Sequence, residues 1–276
     1  MALEPLIAFK LPYITSSANS LNLPVPTNFA EEPIFLSGSA FVAGLIDTIA
    51  GGGGLIALPA ILAAGLPPSL ALGTNKFQAS CGVAMATWRF LRKGHIKLRE
   101  SVLGIGFCIL GASMGTLAVL RLDNQWLGKA LPLLLLLILI YTFFSPRIAL
   151  QDRPHRLKPL WFFIGFGLLL GFYDGFLGPG TGSFWVVALM SLLGFNLQKA
   201  TMHAKIYNCA SNVVALVWFI LAGKVLYLAA SVMAIGQIAG AYVGAHLVMR
   251  KGIALIRPAF ILMVSIMLLV LMHKYW

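Results

Sequence analysis

The feature that most constrains this chain is a run of helix-breaking residues inside apolar sequence, which occurs twice. Gly51-Gly52-Gly53-Gly54 follows Asp47 in the first half, and Gly178-Pro179-Gly180-Thr181 follows Asp174 in the second half. Glycine costs about 1 kcal/mol relative to alanine in a helix, and proline also removes a backbone donor. Both halves are therefore predicted to contain two short helices joined by an unwound peptide.

The composition places these segments in a membrane. Apolar residues make up 59% of the chain and charged residues 10%, whereas soluble domains are nearer half apolar and a quarter charged. The formal charge of +12 comes mostly from short Lys and Arg runs between apolar segments. This distribution is typical of cytoplasmic loops and excludes a nucleic-acid-binding protein.

Apolar segments of two kinds follow one another along the chain. Two long regions, 35–66 and 161–194, are interrupted by the glycine runs, and each is predicted to be either a re-entrant hairpin or a bent pair of spans. The others are near the roughly 20 residues that cross a bilayer as helix. These are 69–91, 100–120, 127–145, 197–221, 225–248 and 257–273.

The loop charges predict the topology. The most basic loop, 89–99, and the linker before residue 161 are assigned to the cytoplasm by the positive-inside rule. Each half then contains one broken hairpin and three spans, an odd number, so the two halves are inverted. The predicted fold is an all-α integral membrane protein with two inverted repeats, each a glycine-broken re-entrant helix hairpin plus three transmembrane helices. The predicted regions are a polar N-terminal tail (1–34), repeat 1 (35–145), a basic cytoplasmic linker (146–160) and repeat 2 (161–276).

At the repeated motifs the chain resembles the TauE/SafE family of sulfite and sulfonate exporters, and closely its YfcA-like branch. The motifs that carry the resemblance are GLIDTIAGGGG at 44–54, ALGTNKFQA at 71–79, GFYDGF at 171–176, GP at 178–179, GFNL at 194–197 and ATMHAK at 200–205. The resemblance implies a multi-pass permease of the bacterial inner membrane for small anions, usually sulfur-containing. In this chain the second run is Gly-Pro-Gly-Thr rather than four glycines, so the two breaks are not expected to be equivalent.

The candidate binding residues lie at the breaks and on the helices that follow them. Unwound backbone N–H groups at a helix start form an anion-binding nest. A lysine inside a span costs roughly 2.5–3.5 kcal/mol, which indicates a role for Lys76 and Lys205 either in anion binding or in snorkelling to the interface. The predicted substrate-binding residues are Gly51, Gly52, Gly53, Gly54, Asn75, Lys76, Gln78, Gly178, Gly180, Thr181, His203, Lys205 and Asn208, with Thr74, Ser80, Ser211 and Asn212 as weaker candidates.

Asp47 and Asp174 are the two acids in the interior of the apolar segments. Three roles are open to them: pairing with the lysines, capping the broken helices, or carrying a coupling proton. Tyr173 and Trp185 are further candidates for lining the second hairpin.

The favoured function is secondary transport of a small anion by alternating access. Protons stay open as a second partner, and the oligomeric state is not predicted. The alternatives are a cation or metal carrier that uses the Asp pair, and an intramembrane enzyme or accessory subunit. The sequence contains no nucleotide-binding motif, no paired catalytic carboxylates and no Cys/His cluster, so it predicts no enzyme activity, cofactor or bound metal.

Overall fold

The computed structural model describes residues 33–96, 98–144, 152, 154 and 156–250. Most of the predicted N-terminal tail, much of the linker and the predicted last helix, 257–273, lie outside these residues. The described residues form helices and no strand. The helices are α1 (Pro33–Ala50), α2 (Gly54–Ala63), α3 (Pro68–Arg92), α4 (Leu98–Val119), α5 (Asn124–Phe144), α6 (Pro159–Phe176), α7 (Thr181–Leu192), α8 (Leu197–Leu221) and α9 (Tyr227–Arg250).

The predicted all-α membrane fold is confirmed. Five of the helices, including α1 and α6, are long and apolar enough to cross a membrane. Large apolar side chains are exposed along them, among them Leu110, Met114 and Ile235. In a lipid environment such side chains face acyl chains, and every backbone polar group within a helix is satisfied internally.

Both glycine runs interrupt the helices where the sequence predicts. α1 ends at Ala50 and α2 begins at Gly54, and the second break separates α6 from α7. Gly51, Gly178 and Gly180 have positive φ angles of 79°, 93° and 82°, which side chains with a Cβ rarely adopt. The two arms of each hairpin are unequal, however. The first arm has the length of a span, 18 residues in α1 and α6, whereas α2 has 10 residues and α7 has 12.

The contacts between helices give their relative directions. On α3 and α8, Lys76 contacts Asn212, and Thr87, further along α3, contacts Lys205, which is earlier on α8. These two helices are therefore antiparallel. They pack against each other, and most of their polar residues are buried.

Two pairs of glycines bring the remaining long helices close together. A Cβ at Gly111 would lie 2.3 Å from the carbonyl oxygen of Leu168, so α4 packs directly on the backbone of α6. A Cβ at Gly240 would lie 1.9 Å from the carbonyl oxygen of Phe41, so α9 packs in the same way on α1. Gly115 and Gly244 repeat each contact one turn further along. Each pair of helices is thus parallel, and the small residues act within the chain.

Candidate functional site

The two glycine breaks meet. A Cβ at Gly51 would lie 2.2 Å from the carbonyl carbon of Gly182, and the backbone N–H of Ser183 donates to the carbonyl of Gly51 at 3.2 Å. The hydroxyl of Ser183 also donates to the carbonyl of Ala50 at 2.6 Å. Because neither glycine carries a side chain, the unwound backbone of the first break can approach the first turn of α7 within contact distance. The breaks therefore form one shared structure rather than two separate loops.

A buried ion pair joins α3 to α6 beside the second break. Lys76 Nζ lies 2.7 Å from Asp174 Oδ1, and both side chains are 2% exposed. Lys76 also donates to Asn212 Oδ1 at 3.2 Å. The Asp174 carboxylate accepts from Asn212 Nδ2 at 3.0 Å, from Thr181 Oγ1 at 3.3 Å and from the Ser211 hydroxyl. Asp174 thus has a full set of donors, as a buried carboxylate requires.

A second ion pair joins α8 to α1 beside the first break. Lys205 Nζ lies 2.8 Å from Asp47 Oδ2, and it also donates to the backbone carbonyl of Asp47. Asp47 Oδ1 accepts from the backbone N–H of Gly53 at 3.3 Å, which caps the start of α2. The Lys205 side chain is 1% exposed, but the Asp47 side chain is 14% exposed. This pair is therefore less enclosed than the first.

The pairing is reciprocal. The lysine of the first half, Lys76, pairs with the acid of the second half, and Lys205 pairs with the acid of the first half. Each carboxylate is also engaged by its own break, where the sequence predicts an anion nest: Gly53 N–H donates to Asp47, and the Thr181 hydroxyl donates to Asp174. Part of the predicted nest is thus filled by the protein's own carboxylates.

A small cavity lies where the breaks meet α3, α8 and α9. Its volume is about 20 Å³, enough for about one water molecule. Glycines, amides, an ammonium and two carboxylates line it, together with two apolar side chains. The lining residues are Asp47, Gly51, Gly54, Asn75, Lys76, Ala79, Val83, Asp174, Gly178, Gly180, Gly182, Asn208, Asn212 and Gln237.

Most of the predicted site residues are thus brought together. The residues that do not line the cavity are Gly52, Gly53, Gln78, Thr181, His203 and Lys205. Several of these contact a residue that lines the cavity: Gln78 Nε2 donates to Asn75 Oδ1 at 2.8 Å, and Lys205 pairs with the carboxylate of Asp47. His203 packs against the ring of Phe195, with centroids 5.1 Å apart.

The two aromatic candidates at the second hairpin have different positions. Tyr173 donates from its hydroxyl to the carbonyl of Pro179 at 2.6 Å, so it braces the break. Trp185 is fully buried and stacks near Tyr207, with centroids 4.7 Å apart, away from the cavity lining.

Sequence reasoning missed one polar lining residue, Gln237 on α9, as well as Gly182, Ala79 and Val83, and it gave Asn212 only as a weaker candidate. The signal for Gln237 was a polar side chain within an otherwise apolar segment, which is costly in a membrane. When the two halves are aligned so that Gly111 stands opposite Gly240, Cys108 stands opposite Gln237, so this polar residue is not duplicated.

Fold and site together define a polytopic membrane protein with broken helices and buried ion pairs at its centre, the class to which many secondary transporters belong. The comparisons with known proteins agree with this class. Residues 36–271 match the family described as "Sulfite exporter TauE/SafE". The chain belongs to this family.

Similar proteins are known from several bacteria. A "Probable membrane transporter protein" of Haemophilus influenzae is 47% identical over 81% of this chain and 88% of its own length. The "Probable membrane transporter protein YfcA" of Escherichia coli K12 is 43% identical over 83% of this chain and 85% of its own length. No solved structure gives a significant match. The family, these relatives and the spans place the chain in the bacterial inner membrane as a multi-pass protein of a transporter family.

The described residues contain no group of three His, Cys, Asp or Glu side chains that could hold a metal ion.

Proposed function

We propose that the protein is a secondary transporter for small anions, with sulfite, sulfonates and related organosulfur anions as its substrate class, and that it works by alternating access between two inverted repeats. The observation that carries the proposal is the reciprocal exchange of two buried Lys–Asp pairs between the halves, at a point where two unwound segments surround a polar cavity.

The helix directions support the inverted repeats. α3 is antiparallel to α8, its counterpart in the second half. The contacts are also exchanged: α1 of the first half packs on α9 of the second, and α6 of the second half packs on α4 of the first. Two halves that interlock in this way can rock about a common centre, which is the motion that alternating access requires.

The donors of the cavity favour an anion. A lysine ammonium has three N–H donors, and Lys76 uses two of them, on Asp174 and Asn212. The third can reach a ligand in the cavity that Lys76 lines, together with the amide groups of Asn75 and Asn208. Such neutral and cationic donors hold an oxyanion in place of its water.

The same contacts disfavour the cation alternative. Both carboxylates already face an ammonium group at 2.7 to 2.8 Å, so a divalent cation would have to displace a buried lysine at each position. Leaving a buried charge unpaired costs several kcal/mol. Sulfur-containing anions are favoured within the anion class because the matching family is described as a sulfite exporter.

The cavity has room for about one water molecule, so a substrate with four or more heavy atoms needs the surrounding helices to separate. The ion pairs join helices of opposite halves, so a relative movement of the halves would change both pairs. Asp47 and Asp174 thereby keep a second role open, as carriers of a coupling proton.

Ligand-dependent thermal unfolding of the purified protein tests the proposal. Sulfite, thiosulfate and alkyl sulfonates are expected to raise Tm, and chlorides of divalent cations are not. The effect is expected to disappear in Lys76→Ala and to persist in Lys93→Ala, which removes an exposed lysine just beyond α3. Stabilisation by divalent cations that is lost in Asp47→Asn would refute the anion site. Flux into proteoliposomes at two pH gradients then decides whether a proton moves with the anion.

A further inference from the structure

Gln237 on α9 has features that the packing of the helices does not explain. Its side chain is 2% exposed and lines the cavity, and its Oε1 has no hydrogen-bond partner among the described residues. A buried polar atom without a partner costs about 1–3 kcal/mol. Such groups are rare in folded proteins and each calls for an explanation.

The neighbouring helices make room for this amide. A Cβ at Gly82 on α3 would lie 2.4 Å from Gln237 Cγ, and a Cβ at Gly44 on α1 would lie 2.3 Å from its backbone oxygen. Gly82 thus leaves the space that the Gln237 side chain occupies, and Gly44 lets the backbone of α9 approach α1. At the equivalent place in the first half stands Cys108, which is fully buried and does not line the cavity. The amide is therefore present in only one half of the chain.

The position of Gln237 gives the cavity a second polar end. Gln237 packs against Gly82 on α3. Gly82 follows Lys76 by six residues, which corresponds to about 9 Å along the helix. Between them Ala79 forms an apolar part of the cavity wall, and Val83 continues it just beyond Gly82. This order along the wall, ammonium, apolar patch and amide, matches an anion whose charged head and second polar group are separated by a short hydrocarbon link.

We propose that Gln237 is a specificity-determining residue that hydrogen-bonds to a hydroxyl or amino group at the far end of an organic anion whose head contacts Lys76. The inference deepens the proposed function and rests on it. The unpartnered oxygen accepts from the ligand donor, so the amide gains the hydrogen bond that the protein leaves open. A site built to hydrogen-bond a ligand group rejects an analogue that lacks the group.

Two sulfonates that differ by one hydroxyl provide the test. The dissociation constants of 2-hydroxyethanesulfonate and ethanesulfonate are measured by calorimetry on the wild type and on Gln237→Met, which keeps the side-chain length but removes both polar atoms. The wild type is expected to bind the hydroxyl compound at least five times more tightly. In Gln237→Met this ratio is expected to fall to about one, while the affinity for ethanesulfonate changes less than twofold.

The matched control is Thr48→Val. Thr48 on α1 is 1% exposed, and its hydroxyl also has no partner among the described residues, but it does not line the cavity. This variant is expected to keep the wild-type ratio. Without ligand, Gln237→Met is expected to have a Tm equal to or above that of the wild type, because an apolar side chain replaces an unsatisfied one; a merely structural role would lower it.

The outcomes separate the two proposals. Equal binding of both sulfonates by the wild type, or an unchanged preference in Gln237→Met, overturns the role of Gln237 and leaves the anion site intact. Failure of the wild type to bind either sulfonate, sulfite or thiosulfate overturns the proposed function and this inference with it.

Discussion

Replacing both Lys76 and Asp174 by neutral residues is expected to lower the stability of the protein far less than replacing only one of them. The pair is 2.7 Å long and both side chains are 2% exposed. Removing one partner of such a pair leaves a buried charge unpaired, at a cost of about 3–5 kcal/mol, whereas replacing both partners is often nearly neutral. Lys76→Met and Asp174→Asn should therefore each destabilise the protein, and the double variant should recover most of the loss.

The remaining contacts predict which single variant is worse. Without Lys76, the Asp174 carboxylate still accepts from Ser211, Asn212 and Thr181. Without the Asp174 charge, the ammonium is left with Asn212 and with a neutral amide. Lys76→Met is thus expected near the lower end of the range, about 3 kcal/mol, and Asp174→Asn near the upper end, about 5 kcal/mol.

Thermal unfolding in detergent, without added anion and at one heating rate, provides the measurement. For a protein of 150–250 residues, 1 kcal/mol corresponds to about 2–4 °C in Tm, so the single variants should lose about 6–20 °C and the double variant only a few degrees. The exposed pair of Lys199 and Asp152, at 3.5 Å with side chains 42% and 51% exposed, is the control cycle. Its coupling should stay below about 1 kcal/mol. A Lys76/Asp174 double variant whose loss equals the sum of the single losses would refute the reasoning.

Three further changes have expected outcomes. Gly240→Val should prevent assembly, because its Cβ would lie 1.9 Å from the Phe41 carbonyl oxygen; size-exclusion chromatography after detergent extraction would show little folded protein. Gly51→Ala should lower Tm by more than a strained φ alone would. The residue has φ +79°, and in addition its Cβ would lie 2.2 Å from the Gly182 backbone. Asp152→Asn should lower Tm slightly near neutral pH and not at low pH. The folded-state pKa of Asp152 is lowered, chiefly by a hydrogen bond from the backbone N–H of the residue before α8. The carboxylate therefore contributes its full stabilisation above the ordinary pKa of 3.8, and this stabilisation is lost as the pH falls through the lower folded pKa.

The two glycine variants share a reference variant. Gly106→Ala on α4 places a Cβ where no heavy atom lies within 4 Å, so Tm should be unchanged or slightly higher. If Gly240→Val folds like Gly106→Ala, α9 does not pack on α1 as described. If the Tm of Gly51→Ala equals that of Gly106→Ala, the two breaks are not in contact. A Tm difference between wild type and Asp152→Asn that grows as the pH falls below 3.8 would contradict the sign given for Asp152.

The fold was largely predictable because the signals were local. The break after Ala50 and the break before Thr181 follow from glycine and proline chemistry at single positions, and the spans follow from length and apolarity. The full length of α1 and α6 was not predicted. The sequence marks the position of a break, but the depth at which a hairpin turns depends on which helices it packs against.

The site was predictable in its members more than in its contacts. Asp47, Lys76 and Asp174 were candidates because charges in a span are costly. That Lys76 would pair with Asp174 across the two halves, rather than with Asp47 of its own half, depends on how the halves interlock. The sequence marks Gln237 as a costly polar residue, but only the packing of α9 on Gly82 brings its amide to the cavity.

The two ion pairs differ in a way that bears on the proposed transport cycle. Asp174 is 2% exposed and held by four side chains, whereas Asp47 is 14% exposed and held by Lys205 and one backbone N–H. The less enclosed pair has fewer contacts to lose when the halves move. In the cycle we propose, the Asp47–Lys205 pair therefore opens first, and the Asp174–Lys76 pair keeps the substrate site assembled until the halves have moved.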